Sequence, residues 1–427
     1  MSTVSIVVII VNILLAKILS VGTTPIMVWW ERRVAGFMQD RTGPNRCDIG
    51  GIRLGGLIQA IADMLKLVFK EDFTPAHIKE RFLFTIAPAI VFFCSFMTMA
   101  VIPFADNLVI DGESFMMQAI PTTLGIMWFL AFAGLSVFGI ILGGYSSENK
   151  YGLLGGIRAS AQVISYEAAM ALSIISVLLT YGSINLGDMV QAQGGVIFGF
   201  IPAWGIFMQP LAALIFIVTA FAESNRTPFD IAEGESEIVA GYHTEYSAMR
   251  FGLFQVGEYA AMSASSAIIV TLFLGGYQIP WLDTQAIQSN INYVILAIII
   301  LLPLKAFFFA KWMNKNYNWL DANDKRHKEK NILIKGFWGI AIVISAILIL
   351  FLVTGLGTNG VNIATAVIQI ATFIAKFLFM NFVFIWIRWT LLRFRYDQLQ
   401  MLGWKVLIPL AILNIVITAI FVVATGS

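Results

Sequence analysis

The sequence predicts an all-α polytopic membrane protein, with about ten transmembrane helices and one amphipathic helix on the cytoplasmic surface, on three observations. Of its 427 residues, 59% are hydrophobic and 12% charged, and the mean hydropathy is +0.83, outside the usage of soluble domains. Apolar runs near the roughly 20 residues that cross a ~30 Å hydrocarbon core recur along the whole chain. Lys and Arg collect in alternate loops only, the asymmetry that orients helices in a bilayer.

The first run, 4–30, is too long for a removable signal peptide and lacks its basic start and small-residue cleavage site, so it is expected to remain as an anchor. Residues 49–69 follow, where GLIQAIADMLKLVF sets Leu57, Ile61, Met64, Leu65 and Val68 on one helical stripe. Such a helix lies on the cytoplasmic membrane surface or covers protein. Four runs come next, at 82–103, 122–143, 160–180 and 203–222. Five more lie at 248–274, 291–311, 334–356, 361–388 and 402–425. Loops near 104–121, 181–202, 275–290 and 357–360 contain neither Lys nor Arg, whereas the loops between them hold nearly all of both. The basic side is cytoplasmic, which places both termini on the non-cytoplasmic side.

Composition also narrows the chemistry. Cys47 and Cys94 lie far apart, and His77, His243 and His327 pair at no metal-ligand spacing, so iron–sulfur, haem and zinc centres are not expected on this chain. Neither GxxxxGK[ST] nor a strand-associated GxGxxG occurs, and the net charge of +2 points to no nucleic-acid partner.

The segment FAESNRTPFDIAEGESEIVAGYHTEY, 221–246, sets Glu223, Asp230, Glu233, Glu235, Glu237 and Glu245 around a single arginine, Arg226, between two spans. Ionised acids at a bilayer edge are unfavourable and usually functional. Thr227-Pro228 predicts a break, and a short helix over 230–241 would set Glu233 and Glu237 on one face. Carboxylates that close raise at least one pKa, so protons are held and exchanged near neutral pH. The competing reading is a solvated acidic loop, against which stand the interleaved Phe229, Ile231, Ile238, Val239 and Tyr242. Two further carboxylates fall within spans, Glu167 in SYEAAMALSII and Glu258 in GLFQVGEYAAM, and each is a proton-site candidate. Lys17 and Lys376 lie near mid-span and serve either as relays or in snorkelling or pairing with a nearby carboxylate. Lys305 sits near a helix end, where snorkelling or pairing with a nearby carboxylate is expected.

Two mixed patches occupy the cytoplasmic side. WWERRVAGFMQDRTGPNR brings Glu31, Arg32, Arg33, Asp40, Arg41 and Arg46 to the end of the first span, with Gly43 and Pro44 in a turn. RFRYDQLQMLGWK, 393–405, has the same character. Positive-inside anchoring accounts for the arginines but not for the acids and aromatics among them, and two such patches on one face imply a cytoplasmic partner.

These segments, with GLIQAIADMLKLVFKEDFTP, YGLLGGIRASAQVISYEAAMALS and AESNRTPFDIAEGESEIVAGYHTEYSAMRFGLF, closely resemble the H-subunit family of proton-pumping NADH:quinone oxidoreductase, respiratory complex I. The resemblance covers residues 1 to about 275 and about 361 to 420. It implies a subunit of the bacterial inner membrane, at the junction of membrane and peripheral arms, in contact with the other subunits of both arms and with lipid. Quinone is then the substrate, no group is covalently bound, and NADH, flavin (FMN) and iron–sulfur clusters sit on partner subunits. The family pattern assigns Glu31, Arg32, Arg41, Arg46, Asp63, Phe229, Arg393 and Arg395 to the quinone chamber. It assigns Glu167, Glu223, Asp230, Glu233, Glu235 and Glu258 to an acidic route that couples quinone reduction to proton movement. The chain departs from the simpler family plan at 276–360, an inserted pair of spans with a charged loop between the core segments 1–275 and 361–427. It departs again at Leu392, where the family often has Pro before RFRYDQ.

Two rivals remain. An equivalent subunit of a membrane-bound hydrogenase or formate-oxidising complex would not require quinone. An ion-coupled transporter would show inverted repeats and broken helices in matching positions, and the sequence displays neither.

Overall fold

The computed structural model describes residues 3–41, 43–50, 53–197, 199–316, 326–355 and 357–425, with the side chains of 235, 236, 316, 326–329, 354 and 425 outside that description. Among the described residues nine helical rods are long and apolar enough to cross a membrane. In chain order, α1 (Thr3–Lys17) passes through one π-helical turn, Ile18–Gly22, into α2 (Thr24–Met38). The short α3 (Leu57–Phe69) follows, then α4 (Arg81–Met99), α5 (Gly125–Ser146) and α6 (Lys150–Tyr181). Next come α7 (Leu186–Ala192), α8 (Gly205–Met208), α9 (Pro210–Glu223), α10 (Glu235–Ile238) and α11 (Ala248–Phe273). The chain ends with α12 (Thr284–Ser289), α13 (Ile291–Asn316), α14 (Arg326–Thr354), α15 (Thr358–Thr390), α16 (Tyr396–Met401) and α17 (Ile408–Thr425). Side-chain caps start α6, α7 and α12: Asn149 accepts from the Tyr151 N–H, Asn185 from Gly187 and Asp283 from Ala286.

Helix α11 is the axis of the fold. From Gly257 to Phe273 it is buried almost without interruption, and its run of Gly, Ala and Ser lets α4, α15, α9 and α2 pack closely around it. Its far end is tied down by Lys376 of α15. The ammonium donates to the carbonyls of Leu274, Gly276 and Gln278 at 2.7, 3.0 and 2.6 Å, and it lies 4.3 Å from the centre of the Trp204 ring. All three of its protons are thereby satisfied. Lys376 therefore pairs with backbone carbonyls rather than with a carboxylate, while Lys17 and Lys305 are exposed.

Four predicted elements differ from expectation. The first span does not end at residue 30; it runs to Met38, so that Glu31, Arg32 and Arg33 sit on the helix itself and project from its sides. The fifth span, 203–222, is broken at Gln209: Pro210 lacks an N–H and opens the 14-residue α9 afresh. Glycine at 205 lets α8 lie against the end of α11, since a Cβ there would run into the Leu272 carbonyl oxygen. The helix over 230–241 shrinks to the four residues of α10, so Glu233 and Glu237 share no helical face, and Glu237 instead bonds Arg158 at 2.6 Å. Helix α3 covers only 57–69 of the predicted 49–69, and within it only Ile58 and Ala60 are buried; the stripe Ile61, Met64, Leu65 and Val68 is left uncovered by this chain.

The pair α13 and α14 packs on itself, for example through the stacked Phe309 and Phe337 rings 4.7 Å apart. It joins the body at one end, where Ile287, Ile291 and Ile295 meet Leu348, Leu352 and Ile368. Most of its remaining surface is exposed apolar side chain, the face a bilayer covers.

Glycine 155 of α6 is the point of closest approach to the acidic segment. A Cβ there would lie 2.6 Å from the Tyr242 N and 2.9 Å from the Ala232 O, both backbone. Gly155→Ala is expected to destabilise the purified protein by about 1–3 kcal/mol, read as a lower thermal unfolding midpoint. Gly336→Ala on α14, with nothing within 4 Å, is expected to leave the midpoint unchanged or slightly raised.

Candidate functional site

The chain leaving α9 cannot continue as a helix through Thr227-Pro228 and folds into a tight turn, closed by the Phe229 N–H on the Arg226 carbonyl at 2.8 Å. Phe229 plugs this turn into the core, 5.4 Å from both the Tyr166 and the Phe394 rings. The Phe394 N–H donates to the Pro228 carbonyl at 3.1 Å, which stitches the acidic segment to the chain after α15. Asp230 is thereby brought to Arg393, at 2.6 Å.

Arg226 turns inward. Its side chain is 6% exposed, and its guanidinium lies 4.1 Å from the centre of the Tyr259 ring. Its two terminal nitrogens approach Glu258 at 3.5 Å and Glu31 at 3.8 Å. Glu31, carried in by α2, also accepts from the Tyr259 hydroxyl at 2.8 Å and pairs with Arg388 of α15 at 2.9 Å. Glu258 accepts from the Tyr242 hydroxyl at 2.6 Å and from the Glu233 carboxyl. Segments distant in sequence therefore converge on one buried polar cluster.

Its charge does not balance. Glu31, Asp230, Glu233 and Glu258 face Arg226, Arg388 and Arg393, four carboxyls against three guanidinium groups. In a low-dielectric site the surplus negative charge is strongly disfavoured, so one acid keeps its proton. Glu233 is that acid: burial, then the neighbouring Glu258 and Asp230, push it well above the usual carboxylate range against the pull of Arg226. Burial also raises Asp230, but Arg393 opposes the shift. Burial works against the charge on Arg226, yet Tyr259, Glu258, Glu31 and Glu233 hold its proton more firmly than in water.

A second acidic pair stands beside this cluster. Glu167 of α6 lies against α5, where a Cβ on Gly134 would come within 2.7 Å of its Oε1. Glu223 at the end of α9 is near enough for the two charges to act on each other. Gln162 bridges toward the Arg226 turn, donating to the Ala222 carbonyl at 2.6 Å and to the Asn225 side chain at 3.1 Å.

The remaining predicted residues lie outside the buried cluster. Arg32 pairs with Asp63, both partly exposed. Arg41 bonds Gln39 at the surface and Arg46 is exposed. Arg395 pairs with Asp397, at 73% and 63% exposure. The side chain of Glu235 lies outside the described residues. Sequence reasoning missed Tyr242, Tyr259 and Arg388 as site residues. Arg388 is a lone basic residue at the end of a span, and neither it nor the tyrosines carry a signal until their partners are known. Among the described residues no group of three or more His, Cys, Asp or Glu is arranged to hold a metal ion.

A family model described as NADH dehydrogenase matches residues 9–320 and 332–419. The chain belongs to this family. The H subunit of NADH-quinone oxidoreductase from Flavobacterium psychrophilum is 39% identical over 392 residues, which span 92% of this chain and 90% of the relative. Its counterpart from Flavobacterium johnsoniae is 38% identical over 390 residues, 91% and 88% of the two chains. NADH-quinone oxidoreductase subunit 8 of Rhodothermus marinus is 37% identical over 400 residues, 93% and 92%. Every residue of the cluster falls inside the family match, as do α13 and most of α14.

The raised affinity of Glu233 for its proton carries a pH signature. Through the ordinary carboxylate range the unfolded chain releases this proton while the native chain keeps it, so the native state binds more protons and stability falls with rising pH until native Glu233 ionises. The thermal unfolding midpoint is expected to decline with pH above that range. Glu233→Gln is expected to flatten the decline.

Proposed function

We propose that this chain is the membrane subunit of a proton-translocating NADH:quinone oxidoreductase that forms much of the quinone chamber and couples quinone reduction to proton movement. The observation that carries the reading is Glu31, which shares α2 with Arg32 and contacts Arg226, Tyr259 and Arg388 at once. The chamber is drawn from Glu31, Arg32, Arg41, Arg46, Asp63, Phe229, Arg393 and Arg395. The uncovered apolar stripe of α3 suits a lipid-soluble substrate or the lipid beside it.

Quinone takes two electrons and two protons to become quinol, and the electrons come from partner subunits that carry NADH, FMN and iron–sulfur clusters. This chain's part is electrostatic. A change of charge beside Glu31 alters how strongly Arg226 and Arg388 are shared. Glu258 then binds its partners more or less tightly, and the proton on Glu233 shifts accordingly. Protons pass onward through Asp230, Glu223, Glu235 and Glu167. Such coupling requires that the two quinone states stabilise different protonation states of the cluster. The chain sits in the bacterial inner membrane among the other membrane-arm and peripheral-arm subunits, with lipid on its apolar faces, no nucleic-acid partner and both termini on the non-cytoplasmic side.

Glu233→Gln and Glu167→Gln are each expected to lower quinone-coupled turnover at least about tenfold, as loss of a proton-transfer group does, while the complex still assembles. NADH:quinone reductase activity and vesicle acidification measure this, and full coupled activity in both variants refutes the reading.

A further inference from the structure

One titratable group of the cluster belongs to none of the acids assigned above. His243 follows Tyr242 in the single 3-10 turn Gly241–His243. Its Nδ1 lies 3.7 Å from Glu233 Oε1. The ring is held edge-on between Tyr242 and Phe251, with centroids at 5.1 and 5.2 Å and interplanar angles of 90° and 64°. Two aromatic contacts on a short loop fix where that nitrogen points.

Glu233 and His243 form the outer pair of this chain of groups, Glu233 being slightly the more exposed of the two. The Glu233 and His243 side chains are 16% and 12% exposed, whereas Glu258 and Arg226 are 5% and 6%. Glu233 in turn bonds Glu258, which bonds Tyr242. The other charged groups nearby are engaged elsewhere: Arg158 of α6 with Glu237, Arg250 of α11 with Asp72, and Glu245 with Asn149. Helix α6 faces the turn with the bare backbone of Gly155. Glu233 faces the imidazole, and the imidazole also acts on the charge of Glu258.

Resting on the coupling role proposed for the cluster, we propose that His243 is the group through which Glu233 exchanges protons with water at the basic end of the bundle. The imidazolium breaks its Nδ1–H bond as an O–H bond forms on the ionised Glu233 carboxylate. The neutral ring then takes a proton from hydronium, which is left as water, and the reverse sequence returns the Glu233 proton to water as hydronium. The 3.7 Å separation closes to hydrogen-bond length by a small side-chain rotation, as proton-transfer contacts do between resting and working states. Imidazole is the side chain suited to this task, since its free pKa near ~6.5 lets it load and unload around neutrality.

The test uses the intact complex in membrane vesicles, with NADH:quinone turnover and acidification followed across roughly pH 5.5–8.5, a window around the imidazole value. His243→Gln, which keeps size and polarity but cannot titrate, is expected to lower coupled turnover about tenfold or more and to remove the imidazole-range inflection. The KM for quinone is expected to stay unchanged. His243→Ala is expected to lose as much and to recover severalfold on addition of free imidazole, a rescue that a purely structural role does not allow. A His243→Gln complex with unaltered rate and pH profile overturns the assignment, and so does a His243→Ala defect that imidazole leaves in place. Glu233→Gln run alongside separates the two readings. If it keeps full coupling, the role of the cluster itself fails; if it is defective while His243→Gln is normal, only the assignment of His243 falls.

Discussion

A buried guanidinium surrounded by more acid than it can neutralise governs this structure. Arg226 lies under a tyrosine ring with Glu31 and Glu258 at its edges, where the charge of either partner alone would be strongly unfavourable. Tyr242, Tyr259, Arg388 and Arg393 complete the hydrogen bonding and pairing of the acids. With four carboxyls against three guanidinium groups, burial and the neighbouring acids favour keeping a proton on Glu233, and the coupling role proposed for the cluster rests on that proton.

The rest of the fold serves to bring those groups together and hold them still. Helix α11 carries Glu258 and Tyr259 at its polar end, and the Lys376 ammonium locks its other end through three carbonyls. Helix α2 continues past the expected end of the first span and delivers Glu31 as a rigid helical residue rather than as part of a loop. The break at Pro210 shortens α9, so that Glu223 and the Arg226 turn lie level with the polar end of α11. Small residues on α6 and α11 allow the approach, and a methyl group at residue 155 would push directly on the backbone of the acidic segment.

Much of the architecture was legible along the chain. Hydropathy located the spans, the Lys and Arg pattern set their expected orientation, and the concentration of acids around one arginine marked the site. The apolar residues among those acids correctly argued against a solvated loop: Phe229, Ile231 and Tyr242 are buried. Local pattern was weaker where tertiary contacts set the backbone. Spacing favoured a helix over 230–241, but contacts with α6 and with the segment after α15 hold most of it irregular, and only four residues are helical. Arg388 and Lys376 illustrate the same limit, because a lone basic residue at a helix end or mid-span has no distinctive signature until its acceptors are in place.

The sequence by itself determined that this chain lives in a membrane and led to the expectation that its acids lie at a boundary between apolar and polar surroundings, since both follow from composition and from periods of a few residues. Only the tertiary structure decided which acids meet. Glu31 and Tyr259 are 228 positions apart, and Asp230 and Arg393 are 163 apart. Their contacts arise from how the helices pack, and the balance of charge that puts a proton on Glu233 exists only once those side chains share one water-poor space.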